Sequence, residues 1–236
     1  MEIRLFKKKL SQKYSVLQFV RVWGVILVLL FLLPVYGSAF QWPDTGQDRY
    51  YDDGGELLEC PAPTHPWYGQ DSQYTGDRSY TKLDENGNAL PDEAGNWKAV
   101  RDNVTGLVWE MKTTDHQTTY YWCDPDPETN GGNAGTCDSP NTHEFIAYLN
   151  TMTYGGRTDW RLPTVKELST LLDMSKTIAP LINTDYFPMT VSSVYWSSST
   201  YKTSTGYAWR VGFSNGGVNH RLKSLKYYVR AVSSGQ

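Results

Sequence analysis

The chain has 236 residues, with 22 Lys/Arg against 25 Asp/Glu and a formal net charge of −3. That balance argues against nucleic acid as a partner, because phosphate backbones are bound by clustered Lys and Arg. Three cysteines without a Cys-x-x-Cys pair, and His65, His116, His143 and His220 scattered along the chain, offer no metal-ligand spacing, so neither a cofactor nor a metal is expected.

The chain opens on a basic leader, Arg4, Lys7, Lys8, Lys9, Lys13 and Arg21, followed by a stretch from Val22 to Pro43 without charge. Val25–Leu33 is its apolar run, Pro34 breaks it, and Gly37-Ser38-Ala39 supplies small residues for cleavage after Ala39. This order describes a secretory signal peptide over residues 1–39. The alternative is an uncleaved anchor, the only membrane contact expected. A span needs about 20 apolar residues, a length met here only if the Pro-Gly-Ser part is counted. No Cys follows the apolar run closely, which excludes a lipoprotein. The product is expected in the periplasm, on the cell surface or secreted.

Without residues 1–39, which hold six Lys/Arg and one Glu, the chain keeps 16 basic and 24 acidic residues, a net of −8. The charge is uneven: residues 40–139 hold 6 basic and 19 acidic residues, whereas residues 140–236 hold 10 and 5. Residues 40–74, rich in turn formers such as Asp52-Asp53-Gly54-Gly55 and Cys60-Pro61-Ala62-Pro63, read as an extended arm with no period that buries a core. One domain over residues 75–236 follows.

Within it, Tyr80–Leu83 and Trp97–Val100 read as strands, with Asn86-Gly87 as a turn signal between them. A second turn at Asp102–Gly106 leads into Leu107-Val108-Trp109, and residues 112–141 form a polar insertion. Cys123 and Cys137 flank a segment rich in Gly, Asn, Asp and Pro. In an oxidising compartment a bridge between them is favoured, and it contributes about 3 kcal/mol for a loop of this size. Cys60 is then free or joined to another molecule.

Two helices are legible. Asn141 caps the first with Glu144 as its box partner, Phe145, Leu149 and Met152 share one face, and the helix ends near Tyr154-Gly155-Gly156. Thr164 caps the second with Glu167, and Val165, Leu168, Leu171 and Leu172 form its apolar stripe. Short strands follow at Val194–Trp196, Tyr207–Phe213, Val218–Leu222 and Tyr227–Val232, which makes the domain α+β. Trp109, Trp160, Phe187 and Trp196 are expected to fill the space between helices and sheets.

Six segments come in a recognisable order: Asn103–Trp109, Thr158–Leu168, Asp185–Pro188, Tyr195–Ser199, Ala208–Phe213 and Tyr228–Val232. Over about residues 75–235 the chain resembles the Lcl C-terminal domain family. The resemblance implies a C-type-lectin-like fold in which the first and last strands pair and two helices pack on small twisted antiparallel sheets. It also implies a surface or periplasmic binding role. The family's named member is an adhesin that binds sulfated glycosaminoglycans at the end of a collagen-like stalk, but this chain has no Gly-x-y repeat, so a stalk does not carry over. The Glu-Pro-Asn, Gln-Pro-Asp and Trp-Asn-Asp tripeptides of calcium-dependent lectins are missing. Asp84, Asn86 and Asn88 begin like a calcium loop, but Gly95 stands where its bidentate Glu belongs, and a hairpin turn explains them better.

The expected ligand surface lies on the late strands. Arg210, Arg221, Lys223 and Lys226 are candidates to meet sulfate, carboxylate or phosphate groups, and Tyr201 and Tyr207 to stack on sugar rings; the alternative is a solvated face that balances the acidic arm. Period-two alternation places Arg210 on an exposed face and Trp209 with Val211 and Phe213 on a buried one. The partner is then a sulfated or acidic glycan or a surface protein. Ser197-Ser198-Ser199 has no supporting His or Cys pattern, so no enzyme is expected. The alternatives are an envelope structural protein without small ligand, or an enzyme of the lectin-like fold related to formylglycine-generating enzymes.

Overall fold

The computed structural model describes residues 43–47, 49–66, 78–112 and 117–235. The proposed signal peptide and His116 lie outside the described residues. All described residues fall in one compact unit, Phe40–Gln236.

The arm contains a hairpin that its composition hides. Strands β1 (Tyr50–Asp52) and β2 (Gly55–Leu57) pair antiparallel with Tyr50 opposite Leu57. The Asp52 carboxylate accepts the Gly54 N–H at 2.7 Å and closes the turn. The arm meets the domain where the Met174 N–H donates to the Thr45 carbonyl at 2.7 Å.

A four-stranded sheet runs in the order β11-β5-β4-β3, from β3 (Tyr80–Leu83), β4 (Ala99–Asp102), β5 (Val108–Glu110) and β11 (Val232–Ser233). The last strand returns to the first sheet but pairs with β5, Val232 opposite Trp109, not with the domain's first strand β3. Strand β4 already holds both β3 and β5. The edge of β5 takes the last strand through Glu110, whose N–H donates to the Ala231 carbonyl while its carboxylate accepts the Ala231 N–H. At the β3–β4 connection, Asp84 accepts the N–H groups of Asn86 and Asn88 at 2.8 Å each, and Gly87 sits at φ +82°. The Asn88 side-chain amide, which donates to the same carboxylate at 3.1 Å, and these backbone bonds hold the Asp84 carboxyl below its ordinary pKa. The hairpin turn accounts for the three calcium-like oxygens.

A three-stranded sheet, β7 (Val194–Thr200), β8 (Tyr207–Gly212) and β9 (Val218–Leu222), carries a core on each face. Tyr195 lies opposite Val211 and joins Phe213, Trp109 and Phe187 in one cluster. Trp196, one residue on and so on the other face, joins Ala208, Trp122, Phe145 and Trp160 in the second. The four expected aromatic fillers are all buried. The insertion is less polar inside than its composition implied. Strand β6 (Tyr120–Tyr121) pairs with β10 (Lys226–Tyr227), and Trp122 is fully buried with its indole N–H on the Ser197 carbonyl at 2.8 Å.

Helix α1 (Thr142–Thr151) is capped by Asn141, whose side chain accepts the Glu144 N–H, and it buries Phe145 and Leu149. Met152 stands 58% exposed, because it is the C-cap and the chain turns away there. Helix α2 (Val165–Ser169) has the full capping box of Thr164 and Glu167. Leu171 and Leu172 of its expected stripe are buried beyond the helix end. The expected strand Tyr227–Val232 is broken into β10 and β11. Between them Arg230 turns fully inside, donating to the Glu110 carbonyl at 2.6 Å and to Thr190 Oγ1 at 2.8 Å.

Candidate functional site

Strands β8 and β9 form a ribbon in which directly opposed residues share a face. Tyr207 opposes Leu222, Trp209 opposes His220, and Val211 opposes Val218. On that face four rings gather, all half-buried. Tyr201 stacks on His220 with centroids 3.8 Å apart and planes 5° apart, and Trp209 and Tyr207 meet His220 edge-on at 5.4 and 5.6 Å. Alternation does put Trp209 with Val211 and Phe213, but the core ends at Val211, so Trp209 emerges toward solvent.

The other face carries cations. Arg210 opposes Asn219 and Ala208 opposes Arg221. Arg210 lies over the Tyr227 ring at 4.8 Å, and Lys226 over the Tyr121 ring at 4.4 Å. Burial lowers the Arg210 pKa, Tyr227 works against that, and the nearby Arg221 charge adds to it. Arg221 and Lys226 are exposed, as is Lys202 beside Tyr201, a cation that pattern reading passed over. From Tyr186 to the C-terminus the chain has no Asp or Glu. The six residues expected in one site are therefore divided: Tyr201 and Tyr207 on one face, Arg210 and Arg221 on the other, Lys226 on the adjoining β6–β10 pair.

Lys223 belongs to none of these surfaces. It is only 2% exposed. Its ammonium donates to the carbonyls of Asn130 (3.1 Å) and Asn133 (2.7 Å) and to Thr200 Oγ1 (3.0 Å), and lies 3.7 Å from the Trp122 ring centre. Burial pushes its pKa down to about 8, with the Asp124 charge opposing. The expectation that Lys223 meets a ligand at the surface is thus corrected: it ties the loop between Cys123 and Cys137 to the ribbon. Those two cysteines form the expected disulfide, and Cys60 is exposed, its thiol donating to the Pro61 carbonyl at 3.7 Å. Gly135, at φ +79°, is required at the base of the loop, since a Cβ there would collide with the Trp122 carbonyl oxygen.

The most motif-like segment, Asp159–Glu167, is occupied by the fold. Asp159 accepts from the Ser233 hydroxyl and from the N–H and hydroxyl of Ser234. Trp160 fills the second core, with its indole N–H on the Tyr154 carbonyl. Arg161 exchanges both backbone bonds with Val232 and forks Glu167 at 2.9 and 2.7 Å. Burial works to raise the Glu167 pKa, but this fork and the Thr164 bonds outweigh it and hold the carboxyl below its usual range. The serine run forms an irregularity in β7. Ser197 and Ser198 donate to the carbonyls of Trp209 and Pro163, and Ser199 accepts the Val165 N–H.

The described surface includes cavities beside the Asp159–Glu167 segment. One, of about 480 Å³, is lined by polar and backbone groups around Asn86, Arg157 and Asp159. Another, of about 390 Å³, lies between the disulfide loop, the first turn of α1 and the Arg161–Leu162 segment. Among the described residues, no cluster of His, Cys, Asp and Glu is arranged to hold a metal ion.

A family model described as the Lcl C-terminal domain matches residues 98–233. The match begins one residue before β4, so β3 and its turn lie ahead of the matched span although β3 pairs with β4 throughout. No curated protein gives a significant match to the chain.

Proposed function

Because the chain belongs to the Lcl C-terminal domain family, we propose that it is an exported, non-catalytic module of C-type-lectin-like topology that binds an anionic glycan through the β8–β9 ribbon. The return of the last strand to the first sheet supports the topology, and the disulfide suits an oxidising compartment. The observation that carries the reading is the ribbon itself: four half-exposed rings on one face, Arg210 and Arg221 on the other, and no carboxylate from Tyr186 onward. Ring faces accept the C–H side of a pyranose. Arg221, Lys226 and Lys202 at the margins suit sulfate or carboxylate groups, Arg by its two-pronged geometry and Lys as a point charge. The serine hydroxyls are bonded to backbone and have no base beside them, which favours binding over catalysis.

A protein partner is the second reading. Val218 and Leu222 stand 42% and 44% exposed along the ribbon's outer strand, on the aromatic face. Retention on a heparin column as a function of salt separates the two. A glycan module is retained, with retention reduced by Arg221→Ala with Lys226→Ala and by Tyr201→Ala. No retention at physiological salt removes the anionic-glycan reading and leaves the protein partner.

A further inference from the structure

The 390 Å³ cavity differs from the ribbon in charge, and the difference identifies its occupant. Its size is within the range of small-molecule sites. Ile146 and Leu162, both half-buried, supply apolar wall. Around them stand Asp124, Thr129, His143 and Arg161, which bring carboxylate, hydroxyl, imidazole and guanidinium groups to one opening. The charged members are already balanced. Arg161 is forked by Glu167, and Asp124 acts on the buried Lys223 ammonium. Asp124 also accepts from the Asp126 N–H and the Thr129 hydroxyl, one on each carboxylate oxygen, and a carboxylate has about four acceptor sites in all.

The walls are fixed before any ligand arrives. The Thr142 hydroxyl accepts the Cys123 N–H at 2.9 Å and donates to the Cys123 carbonyl at 2.8 Å, tying α1 to the disulfide. The capping box holds the Thr164 side. A site with a preformed apolar wall, balanced charge and mixed donors and acceptors offers no net charge to attract an ion, because Glu167 already answers Arg161 and the Lys223 ammonium already faces Asp124. It matches a ring that has an apolar C–H face and hydroxyls that both donate and accept.

We infer that this cavity is a binding site for a single uncharged pyranose, separate from the ribbon and independent of whether the ribbon binds an anionic glycan. The test titrates the protein, followed by methyl and amide NMR, with methyl α-glucopyranoside, methyl α-mannopyranoside and methyl α-galactopyranoside, beside methyl glucuronide as the charged probe. The expected result is saturable shifts at Ile146 and Leu162 with at least one neutral probe and a much weaker response to the glucuronide. His143→Ala and Thr129→Ala change exposed residues and are expected to keep the melting temperature while weakening binding by roughly three- to tenfold, the effect of one hydrogen bond. No saturable shift with any neutral probe overturns the site, and equal binding of the glucuronide overturns its charge logic. Heparin retention is read separately on the Arg221→Ala, Lys226→Ala variant, so failure of one site leaves the other standing.

Discussion

The Asp159–Glu167 segment and the β8–β9 ribbon are both rich in Trp and Arg, yet they do opposite things with them. In the segment, Trp160 is core, Arg161 is forked by Glu167, and Asp159 holds the Ser233–Ser234 end of the chain. In the ribbon, Trp209 is half-buried in a ring cluster and Arg221 is exposed. The same residue types are structural where an ion-pair partner or a distant group answers them, and available where they stand exposed with only a neighbouring carbonyl, as Arg221 does with His220. The prominence of a motif in the sequence therefore says little about where a ligand goes.

The largest expected effect tests the structural half. Trp160→Ala removes a buried indole and its bond to Tyr154, and should lower stability by about 3–5 kcal/mol in urea unfolding. A loss below about 1 kcal/mol would break the comparison. Replacing Cys123 and Cys137 by Ser should cost about 3 kcal/mol on the entropic account of loop closure, read as the difference between oxidised and variant protein in the same titration.

A smaller effect is pH-dependent. The Asp159 and Glu167 carboxyls both lie below their ordinary values, in each case because hydrogen bonds from neighbours outweigh burial. A depressed carboxyl contributes stability that is fully present above its unfolded pKa and lost as pH falls through the folded one. Stability should thus decline below about pH 4, and Glu167→Gln should flatten that decline. Lys223 works in the other direction. Folding disfavours its charged form, so its contribution to stability rises with pH from about 8 toward the unfolded lysine value near 10.4. Nζ-detected NMR should find it titrating near 8, and an ordinary value would show that its ammonium is not held under the loop.

The smallest stability effect sharpens the ribbon half. Arg221→Ala with Lys226→Ala should shift stability by no more than about 0.5 kcal/mol, as at exposed sites generally, while reducing salt-dependent retention on heparin. A large stability loss would move these cations to the structural side.

Much of this architecture is legible in local sequence, because local sequence determines it. Asn141 and Thr164 cap the two helices through side chains that reach two or three residues, and Asn86-Gly87 turns a hairpin through bonds from Asp84. Cys123 and Cys137 are 14 residues apart around a Gly-rich loop. The six ordered segments identify the family for the same reason: each is a local pattern. What period-two alternation could not tell is how far a core extends along a strand. It put Trp209 with Val211, and only the sheet's packing decides that burial stops between them.

The fate of the cations was likewise decided by tertiary structure. Arg221, Lys223 and Lys226 stand within six residues and look alike, yet one is exposed on the ribbon, one is buried under a loop 90 residues earlier, and one lies over Tyr121. Caps, turns, a disulfide and apolar stripes depend on neighbours in the chain, so the sequence by itself determines them. Whether a charge is answered depends on groups brought from far along the chain. Only the folded arrangement settled which rings and cations remain for a ligand.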